Sequence, residues 1–362
     1  MNVSDFDFEL PDDLIAQEAG ERGRSRLLVL PRAGGPIEHA SFGDLGRYLR
    51  AGDLLVLNDT RVFPARLRGR REPSGGEVEC LLMGRPRPVD VVGDGGAAAP
   101  PGAEDWDALV HPGQKLKPGA RMVFTGGGAV LHAVVLARRF QGRRTVRLWT
   151  DDPIGVGAIV DRIGHVPLPP YIKREDRLED RERYQTVFAA ARGSIAAPTA
   201  GLHFTGPQLA ALETAGIERA TVTLHVGYGT FKPVRVEQVE DHEVDAESYV
   251  VPAAAAAALT RAKREGRRVI AVGTTTARVL ESLAVPASGE VPPAAGETRL
   301  FMHPGHRFQL VDGLVTNFHL PRSSLLMLVA AFAGRERVLA AYREAVEERY
   351  RFYSYGDAML IV

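Results

Sequence analysis

The chain of 362 residues is 45% hydrophobic and 25% charged, which is typical of an ordinary globular protein long enough for two domains. Its 45 basic and 45 acidic side chains cancel, so net charge gives no argument for a polyanion partner. A single cysteine, Cys80, excludes a disulfide framework and a thiolate metal cluster. The apolar runs are too short to span a bilayer, and the first residues, MNVSDFDFEL, carry acid where a signal peptide carries base. We therefore expect a cytoplasmic protein with no membrane partner.

The first predicted elements are a helix over residues 42–49 and a strand over 53–57. The strand leads into the polar residues Asn58, Asp59 and Thr60, which are typical of a turn. This turn lies where the first α/β elements end and a run of short alternating strands begins. Such a junction between domains is a natural place for a cleft.

From about residue 62 to 148 the chain shows short alternating strands without helices between them, which is typical of a small β-barrel. A low-complexity loop is predicted over 85–105. From residue 151 onward strands and helices alternate again. We therefore predict a discontinuous α/β domain formed by residues 1–61 and 151–362, with an inserted β-barrel domain at 62–150.

Three arginines alternate along the first predicted barrel strand. Because side chains alternate between the two faces of a strand, Arg66, Arg68 and Arg70 are expected on one face. Such a stripe fits the phosphates of a nucleic acid. The alternative is a solvated edge strand that charge protects from pairing with another chain.

The segment 167–191 combines a proline-rich entry with many charges, and it predicts a solvated helix. Within it, Glu179 and Arg183 have the spacing of an intrahelical ion pair, while Tyr184, Val187 and Phe188 are predicted to form its buried stripe.

The block SIAAPTAGLHFT at 194–205 consists of residues that let the backbone approach a ligand closely. Thr205 and Gln208 have the spacing of a capping box, so a helix is expected to begin just after His203. In an open α/β sheet, this corner at the carboxyl end of a strand is where ligands bind.

Comparable features recur further along the chain. The block TLHVGYGTF at 223–231 contains His225 beside a glycine-rich turn. A strand over 267–272 is followed by GTTT, whose hydroxyls and N–H groups suit an anion or a carboxylate, and then by a helix from 277. A strand over 314–318 ends at His319, before an apolar helix over 321–332. These corners predict one shared cleft.

No phosphate-binding GxxxxGK[ST] loop and no HExxH zinc motif occurs in the sequence. His303 and His306 flank a proline and a glycine, so the sequence favours a loop over a helical face that could bind a metal. We expect no metal site.

Longer motifs carry a resemblance to a known family. The chain resembles the S-adenosylmethionine:tRNA ribosyltransferase-isomerases of queuosine biosynthesis along nearly its whole length. The motifs that carry it are FDFELPDDLIAQ, LLVLNDTRVFPARL, GHVPLPPYI, GSIAAPTAGLHFT, LHVGYGTFKPV, VGTTTARVLES, DGLVTNFHLPRSSLLMLVAAFAG and YSYGDAMLI.

The resemblance implies a Rossmann-like α/β domain with an inserted β-barrel. It also implies transfer and isomerisation of the ribosyl group of S-adenosylmethionine, with adenine and methionine released. The implied acceptor is 7-aminomethyl-7-deazaguanine at the wobble position of a tRNA anticodon loop, and the implied product is epoxyqueuosine. S-adenosylmethionine is then a consumed donor, no separate cofactor is expected, and we expect a monomer.

This chemistry needs proton transfers near neutral pH, because the sulfonium acidifies the protons on C5′ and the departing adenine must be protonated. Histidine is the side chain matched to that range. His203, His225 and His319 are the catalytic candidates. The alternative for each is a structural hydrogen bond at the end of a strand.

The other candidate residues fall into two groups. Those expected to bind the donor lie at the predicted corners and turns: Asp59, Arg61, Pro198, Thr199, Ala200, Gly201, Gly227, Gly229, Thr230, Gly273, Thr274, Thr275 and Asn317. Those expected to bind tRNA are basic: Arg66, Arg68, Arg70 and Lys173. The wobble base is expected to stack on Tyr228 or Phe231, with core packing as the alternative for both rings.

The chain departs from the family pattern at three positions. Asp245 stands where a second histidine is common, His306 where an aromatic residue is common, and Tyr228 where an aliphatic one is usual. Two other function classes stay open on sequence alone: an S-adenosylmethionine-dependent RNA methyltransferase and a noncatalytic tRNA-binding module.

Overall fold

The computed structural model describes residues 1–87, 89, 99–139, 142–231, 233–286 and 288–362. Its strands in chain order are β1 (Arg26–Leu30), β2 (Glu38–Ser41), β3 (Leu54–Asn58), β4 (Thr60–Val62), β5 (Arg66–Glu72), β6 (Glu77–Arg87), β7 (Glu104–His111), β8 (Arg121–Gly126), β9 (Ala129–Arg138), β10 (Arg143–Trp149), β11 (Ala191–Ser194), β12 (Glu218–Leu224), β13 (Glu247–Val251), β14 (Val269–Val272), β15 (Ala294–Thr298), β16 (Gly313–Asn317) and β17 (Ala358–Ile361). Its α-helices are α1 (Gly155–Ile163), α2 (Asp180–Arg183), α3 (Gly206–Thr214), α4 (Ala253–Arg264), α5 (Thr274–Glu281), α6 (Ser324–Ala333) and α7 (Arg335–Glu347).

Nine of the described strands form one large sheet in the order β15-β13-β12-β3-β14-β16-β17-β1-β2. The central strands β12, β3, β14 and β16 run parallel to one another. β3 and β14 are buried along their whole length and read LLVLN and VIAV, because a parallel strand covered on both faces needs continuous apolar side chains. The carboxyl ends of these four strands therefore meet at one edge of the sheet.

Six of the described strands close an antiparallel barrel in the order β10-β7-β6-β5-β8-β9. The barrel has its own core, which includes Trp106, Met122 and Phe124 and extends onto α1 through Ile159. The predicted α/β fold with a Rossmann-like sheet and an inserted β-barrel is confirmed. Of the predicted loop over 85–105, residues 88 and 90–98 lie outside the described residues, and β6 and β7 take up its two ends.

Two local predictions differ from the structure. The helix expected over 42–49 is a 3₁₀-helix, Phe42–Arg47. The prediction of a charged helix over 167–191 was wrong, because the α-helix in that segment is only the single turn α2. Tertiary contacts override the local pattern: Arg174 forms a buried ion pair of 2.7 Å with Asp180, which also accepts a hydrogen bond from Tyr355 near the other end of the chain.

The burial expected for the same segment is also only partly right. Tyr184 is buried, but Val187 is 47% exposed. Arg183 donates to the carbonyl of Gly20 rather than serving as the helical partner expected for Glu179. Separately, across the residues that the structure covers, no helix has both the length and the apolar character needed to cross a bilayer.

Candidate active site

A cleft lies at the carboxyl ends of β14 and β16, the edge of an open α/β sheet at which ligands bind. Two of the strand-to-helix corners and the small-residue loop of the PTAGLH motif meet there. The predicted donor-binding or catalytic residues that line the cleft are Pro198, Thr199, Ala200, Gly273, Thr274, Thr275, Asn317 and His319. Gly201 lies beneath the cleft, where an added Cβ would come within 2.7 Å of Thr186 and 2.8 Å of Phe188.

The PTAGLH loop reaches the cleft as a 3₁₀-helix, Thr199–His203, which is followed by α3. The Thr205 side chain caps α3 by accepting a hydrogen bond from the backbone N–H of Gln208 at 3.2 Å. The Gln208 side chain does not complete a capping box, because it donates to the carbonyl of Phe42 instead. The predicted helix start is confirmed, and it fixes the direction in which the loop enters the cleft.

At the corner after β14 the backbone turns sharply at Gly273, whose φ of +89° is in the left-handed region that favours glycine. Helix α5 begins at Thr274, three residues earlier than predicted. The Thr276 hydroxyl donates to the carbonyl of Val272, and the Thr275 hydroxyl accepts from Asn58 at 3.3 Å. Thr274 and Thr275 therefore line the cleft from the first turn of a fixed helix.

Asn317, at the end of β16, is buried and held from two sides. Its Nδ2 donates to the carbonyl of Tyr353 at 3.0 Å and to Nε2 of His203 at 3.1 Å. These two acceptors fix which end of the amide is nitrogen. Among the residues described, no hydrogen-bond partner reaches its Oδ1. Asn317 thus brings a buried acceptor without a partner to the wall of the cleft.

His203 lies behind Asn317, beside a smaller hollow that Arg22 and Tyr355 also line, and it does not line the cleft. Because Nε2 accepts from Asn317, Nδ1 carries the proton and donates to the Ser25 hydroxyl at 2.8 Å. Burial, reinforced by the charge of Arg351, lowers the pKa of His203 to about 3. The ring is therefore neutral, with both nitrogens engaged.

His319 is the predicted catalytic histidine that lines the cleft. Its Nε2 lies 2.8 Å from the Thr316 hydroxyl, and its backbone N–H donates to the hydroxyl of Tyr342. Within the described part of the chain, Nδ1 forms no hydrogen bond. Burial lowers the pKa of His319 to about 3, so this imidazole is neutral as well.

His225 lies at the junction between the sheet and the barrel, outside the cleft lining. Arg85 on β6 donates to its Nε2 at 2.8 Å, so Nδ1 carries the proton and donates to Thr60, also at 2.8 Å. The ring packs on Gly193, where an added Cβ would come within 2.8 Å of it. Burial and then the charge of Arg85 lower the pKa of His225 to about 4.

The polar residues at the end of β3 form a hydrogen-bonded turn, as their residue types predicted. Asn58 Oδ1 accepts from the backbone N–H groups of Thr60 and Leu224. Asp59 accepts a hydrogen bond of 2.6 Å from the Thr223 hydroxyl and does not line the cleft. Arg61 is exposed and lines a neighbouring groove. That groove shares Tyr184 with the cleft.

The arginine stripe lies on one face of β5 as predicted, but acidic side chains accompany it. Arg66 is 3.5 Å from Glu79, and Arg68 is 2.8 Å from Glu175. Arg70 is exposed and donates to the carbonyl of Gly75. Lys173 is also exposed, 3.7 Å from Asp12. The stripe is therefore partly neutralised in the free protein.

Sequence reasoning missed Tyr353, which lines the cleft. The rings of Tyr171 and Tyr353 lie 3.9 Å apart, and the Tyr171 hydroxyl is hydrogen-bonded to Ser354. Tyr353 has a φ of +74°, an uncommon left-handed conformation for a residue other than glycine. The only sequence signal for Tyr353 was the YSYG motif. Its position in the sequence did not indicate that the fold of β17 into the large sheet would bring it to the edge where the cleft lies.

A second hollow adjoins the cleft and includes Gly229. The neighbouring Gly227 donates its backbone N–H to Glu247 at 2.8 Å. Thr230 follows in the short 3₁₀-helix Tyr228–Phe231, and the side chains of Thr230 and Phe231 lie outside the described part. The ring of Tyr228 packs against the barrel core, which is the alternative to base stacking given in the sequence analysis.

No group of three or more histidine, cysteine, aspartate or glutamate side chains in the described ranges could hold a metal ion. In the HPGH turn, His303 Nδ1 donates to the carbonyl of Pro304. His306 lies 3.7 Å from the buried Glu281, which accepts the backbone N–H groups of the three residues 309–311.

Comparison with known proteins gives a match along the chain. The family model described as queuosine biosynthesis protein matches residues 3–361. The chain belongs to this family. A relative from Carboxydothermus hydrogenoformans is 51% identical over 364 residues, and one from Heliobacterium modesticaldum is 49% identical over 363, with 100% of both chains covered in each case. Both relatives are named S-adenosylmethionine:tRNA ribosyltransferase-isomerase.

A solved structure supports the same relation. The crystal structure of S-adenosylmethionine tRNA ribosyltransferase from Thermotoga maritima is 39% identical, with a TM-score of 0.54 over 99% of this chain and 100% of that one. The resemblance seen in the sequence is thus confirmed, and this member of the queuosine biosynthesis family is an enzyme of the transferase-isomerase class. Neither the methyltransferase nor the noncatalytic module is favoured.

Proposed function

We propose that this protein transfers and isomerises the ribosyl moiety of S-adenosylmethionine onto 7-aminomethyl-7-deazaguanine at the wobble position of a tRNA, giving epoxyqueuosine and releasing adenine and methionine. S-adenosylmethionine is the consumed donor, and no separate cofactor takes part. The observation that carries the proposal is the full-length relation, at about half identity, to enzymes named for this reaction. The enzyme acts as a monomer in the cytoplasm.

The nucleoside of the donor fits the cleft. Asn317 Oδ1, without a partner among the described residues, would accept a hydrogen bond from the adenine amino group or a ribose hydroxyl. The faces of Tyr171 and Tyr353 line the same space and suit a flat purine ring. The small side chains of the PTAGLH loop leave room for the sugar.

His319 is the catalytic histidine of this proposal. The sulfonium acidifies the protons on C5′, and neutral Nδ1 of His319 accepts one of them. The imidazolium formed in that step would return the proton to the departing adenine. The neutral amine of the acceptor base then bonds to the ribosyl carbon that adenine has left, and its surplus proton passes to solvent. The bond between C5′ and sulfur breaks with its electron pair going to sulfur, which releases neutral methionine. His319 would thus carry the proton from C5′ to the departing adenine.

His203 and His225 act as positioning residues. His203 holds the Asn317 amide in place through Nε2, and His225 joins the sheet to the barrel through Arg85. Among the other donor-binding candidates, those that line the cleft retain that role in the proposal. Asp59 supports the turn through Thr223.

The tRNA approaches from the side of the barrel. The groove lined by Arg61 and Arg192 borders the cleft at Tyr184, and the flipped wobble base of the anticodon loop is placed at this border in the proposal. Arg66, Arg68, Arg70 and Lys173 hold the backbone of the loop. Arg66, Arg68 and Lys173 exchange their carboxylate partners for phosphates, and Arg70 exchanges the carbonyl of Gly75 for one. Residues 62–150 act as the RNA-gripping domain, and residues 1–61 with 151–362 act as the donor-binding domain.

The decisive experiment incubates the protein with S-adenosylmethionine labelled in its adenine and with tRNA carrying the aminomethyl base, and then separates the small products by chromatography. Labelled free adenine is expected, in step with methionine. Labelled S-adenosylhomocysteine would establish a methyltransferase instead. Unchanged donor in the presence of bound tRNA would leave a noncatalytic binding module. His319→Gln should abolish adenine release, whereas His39→Gln, at an exposed position on the edge strand β2, serves as the matched control.

A further inference from the structure

The second hollow beside the cleft has the composition of a binding site. Its polar lining comes from Gly229, Asp245, Glu247 and Arg278, and its apolar lining includes Phe301 and Leu328. Leu325 on α6 lines both this hollow and the cleft. The two spaces therefore adjoin at Leu325.

Helix α5 connects the two spaces on its own surface. Thr274 lines the cleft and Arg278 lines the hollow, four residues further along the helix. Residues at this spacing lie on one face of a helix, with their Cβ atoms about 6 Å apart. The hollow is thus one helical turn beyond the corner at which the nucleoside binds.

Arg278 is buried but incompletely paired. Its Nη1 is 2.5 Å from Oε2 of Glu247, and its Nε donates to the carbonyl of Leu300 at 3.2 Å. No acceptor in the described ranges reaches its Nη2, although only 9% of the residue is exposed. A buried guanidinium N–H without an acceptor is costly, and its preferred partner is a carboxylate or a phosphate.

Negative charge lies beside Arg278 in the same hollow. Glu247, its ion-pair partner, and Asp245 both line the hollow, and the Asp245 carboxylate packs on Gly229, where an added Cβ would lie within 2.9 Å of it. Asp245 also forms an ion pair of 2.7 Å with Arg143 of the barrel. A ligand with one cationic and one anionic group would meet side chains of both charges within this hollow.

We propose that this hollow binds the α-amino-acid end of S-adenosylmethionine, with its carboxylate on Nη2 of Arg278 and its ammonium group facing Glu247 and Asp245. The assignment rests on the proposed function, because only a donor held in the cleft can place its amino-acid end in the hollow. The sequence suggested the GTTT turn as a site for a carboxylate, whereas this assignment places the carboxylate at Arg278, one helical turn further along α5. Met302 and Leu328 also line the hollow and suit the methylene groups between the sulfonium and the α-carbon.

The test compares two donors that differ by one group: S-adenosylmethionine and its decarboxylated form, which keeps the sulfonium, the nucleoside and the amine. For the unaltered enzyme, the decarboxylated donor should have a KM about 10- to 100-fold higher, since one charge-assisted hydrogen bond of a buried pair is lost. Arg278→Met should raise the KM for S-adenosylmethionine by a similar factor and leave the KM for the decarboxylated donor nearly unchanged. Arg278→Lys should restore part of the preference.

Arg219→Gln is the control, because Arg219 pairs with Glu213 at the surface. The proposal is wrong if the unaltered enzyme does not distinguish the two donors, a result that needs no variant to fold. It is equally wrong if Arg278→Met weakens both donors to the same extent. Calorimetric titration with the two donors measures the preference without turnover. An enzyme that prefers the carboxylated donor yet releases no adenine would refute the proposed function and leave the subsite standing.

Discussion

Acid should destabilise this protein well above the pH at which its carboxylates titrate, because His203 and His319 are buried in the neutral form. Each has a native pKa of about 3, against about 6.5 when unfolded. Below pH 6.5 these two histidines bind protons in the unfolded chain but not in the native chain. The free energy of unfolding therefore decreases as the pH falls from 6.5 toward 3. At about pH 5 the loss is about 2 kcal/mol for each histidine, or about 4 kcal/mol for the two.

A loss of that size is a large part of the 5–15 kcal/mol by which a typical domain is stable. Urea titrations at about pH 7.5 and pH 5, followed by tryptophan fluorescence, would measure it. His203→Gln is the informative variant: it should be less stable than the unaltered protein at both pH values, but it should lose about 2 kcal/mol less on acidification. His111→Gln is the exposed control. An identical pH dependence for His203→Gln and the unaltered protein would refute the burial argument.

Three further outcomes are expected. Asn317→Leu should raise the KM for S-adenosylmethionine about tenfold, the value of one buried hydrogen bond, with the KM for tRNA unchanged; a change only in the KM for tRNA would contradict the cleft assignment. The pH profile of kcat/KM should show no histidine ionisation near 6.5, and a bend there would point to an imidazole other than the two whose pKa values are about 3. Arg68→Gln and Arg70→Gln should each reduce, by about one, the slope of the logarithm of the tRNA binding constant against the logarithm of the salt concentration. An unchanged slope would favour the alternative, an edge strand that charge protects from pairing.

The sequence predicted most of the fold because its local signals agreed with the tertiary structure. Continuous apolar runs marked the buried strands β3 and β14, and the alternating pattern marked the barrel. The prediction failed at residues 167–191, where the hydrogen bond from Tyr355 to Asp180, which joins residues 175 positions apart, outweighs local helix propensity. No periodicity in a sequence reports a contact of that kind.

The candidate site was predicted where a residue follows its strand directly, as Asn317 and His319 do. It was not predicted where depth within the protein decides the role. His203 and His319 carry equally suggestive motifs, but only His319 lines the cleft. Arg278 and Tyr353 were missed because a helical arginine and a turn tyrosine are ordinary residues until the fold places them beside a cavity.

The position of β17 has a consequence for how the chain is made. This strand lies between β1 and β16, so the hairpin of β1 and β2 joins the main sheet only through residues about 330 positions later in the sequence. At ribosomal speeds of about 5–20 residues per second, the hairpin waits roughly twenty seconds to a minute before its partner strand is synthesised. During that interval the apolar strand LLVL lacks its partner β17, and an apolar strand with an unpaired edge is a site at which chains can aggregate.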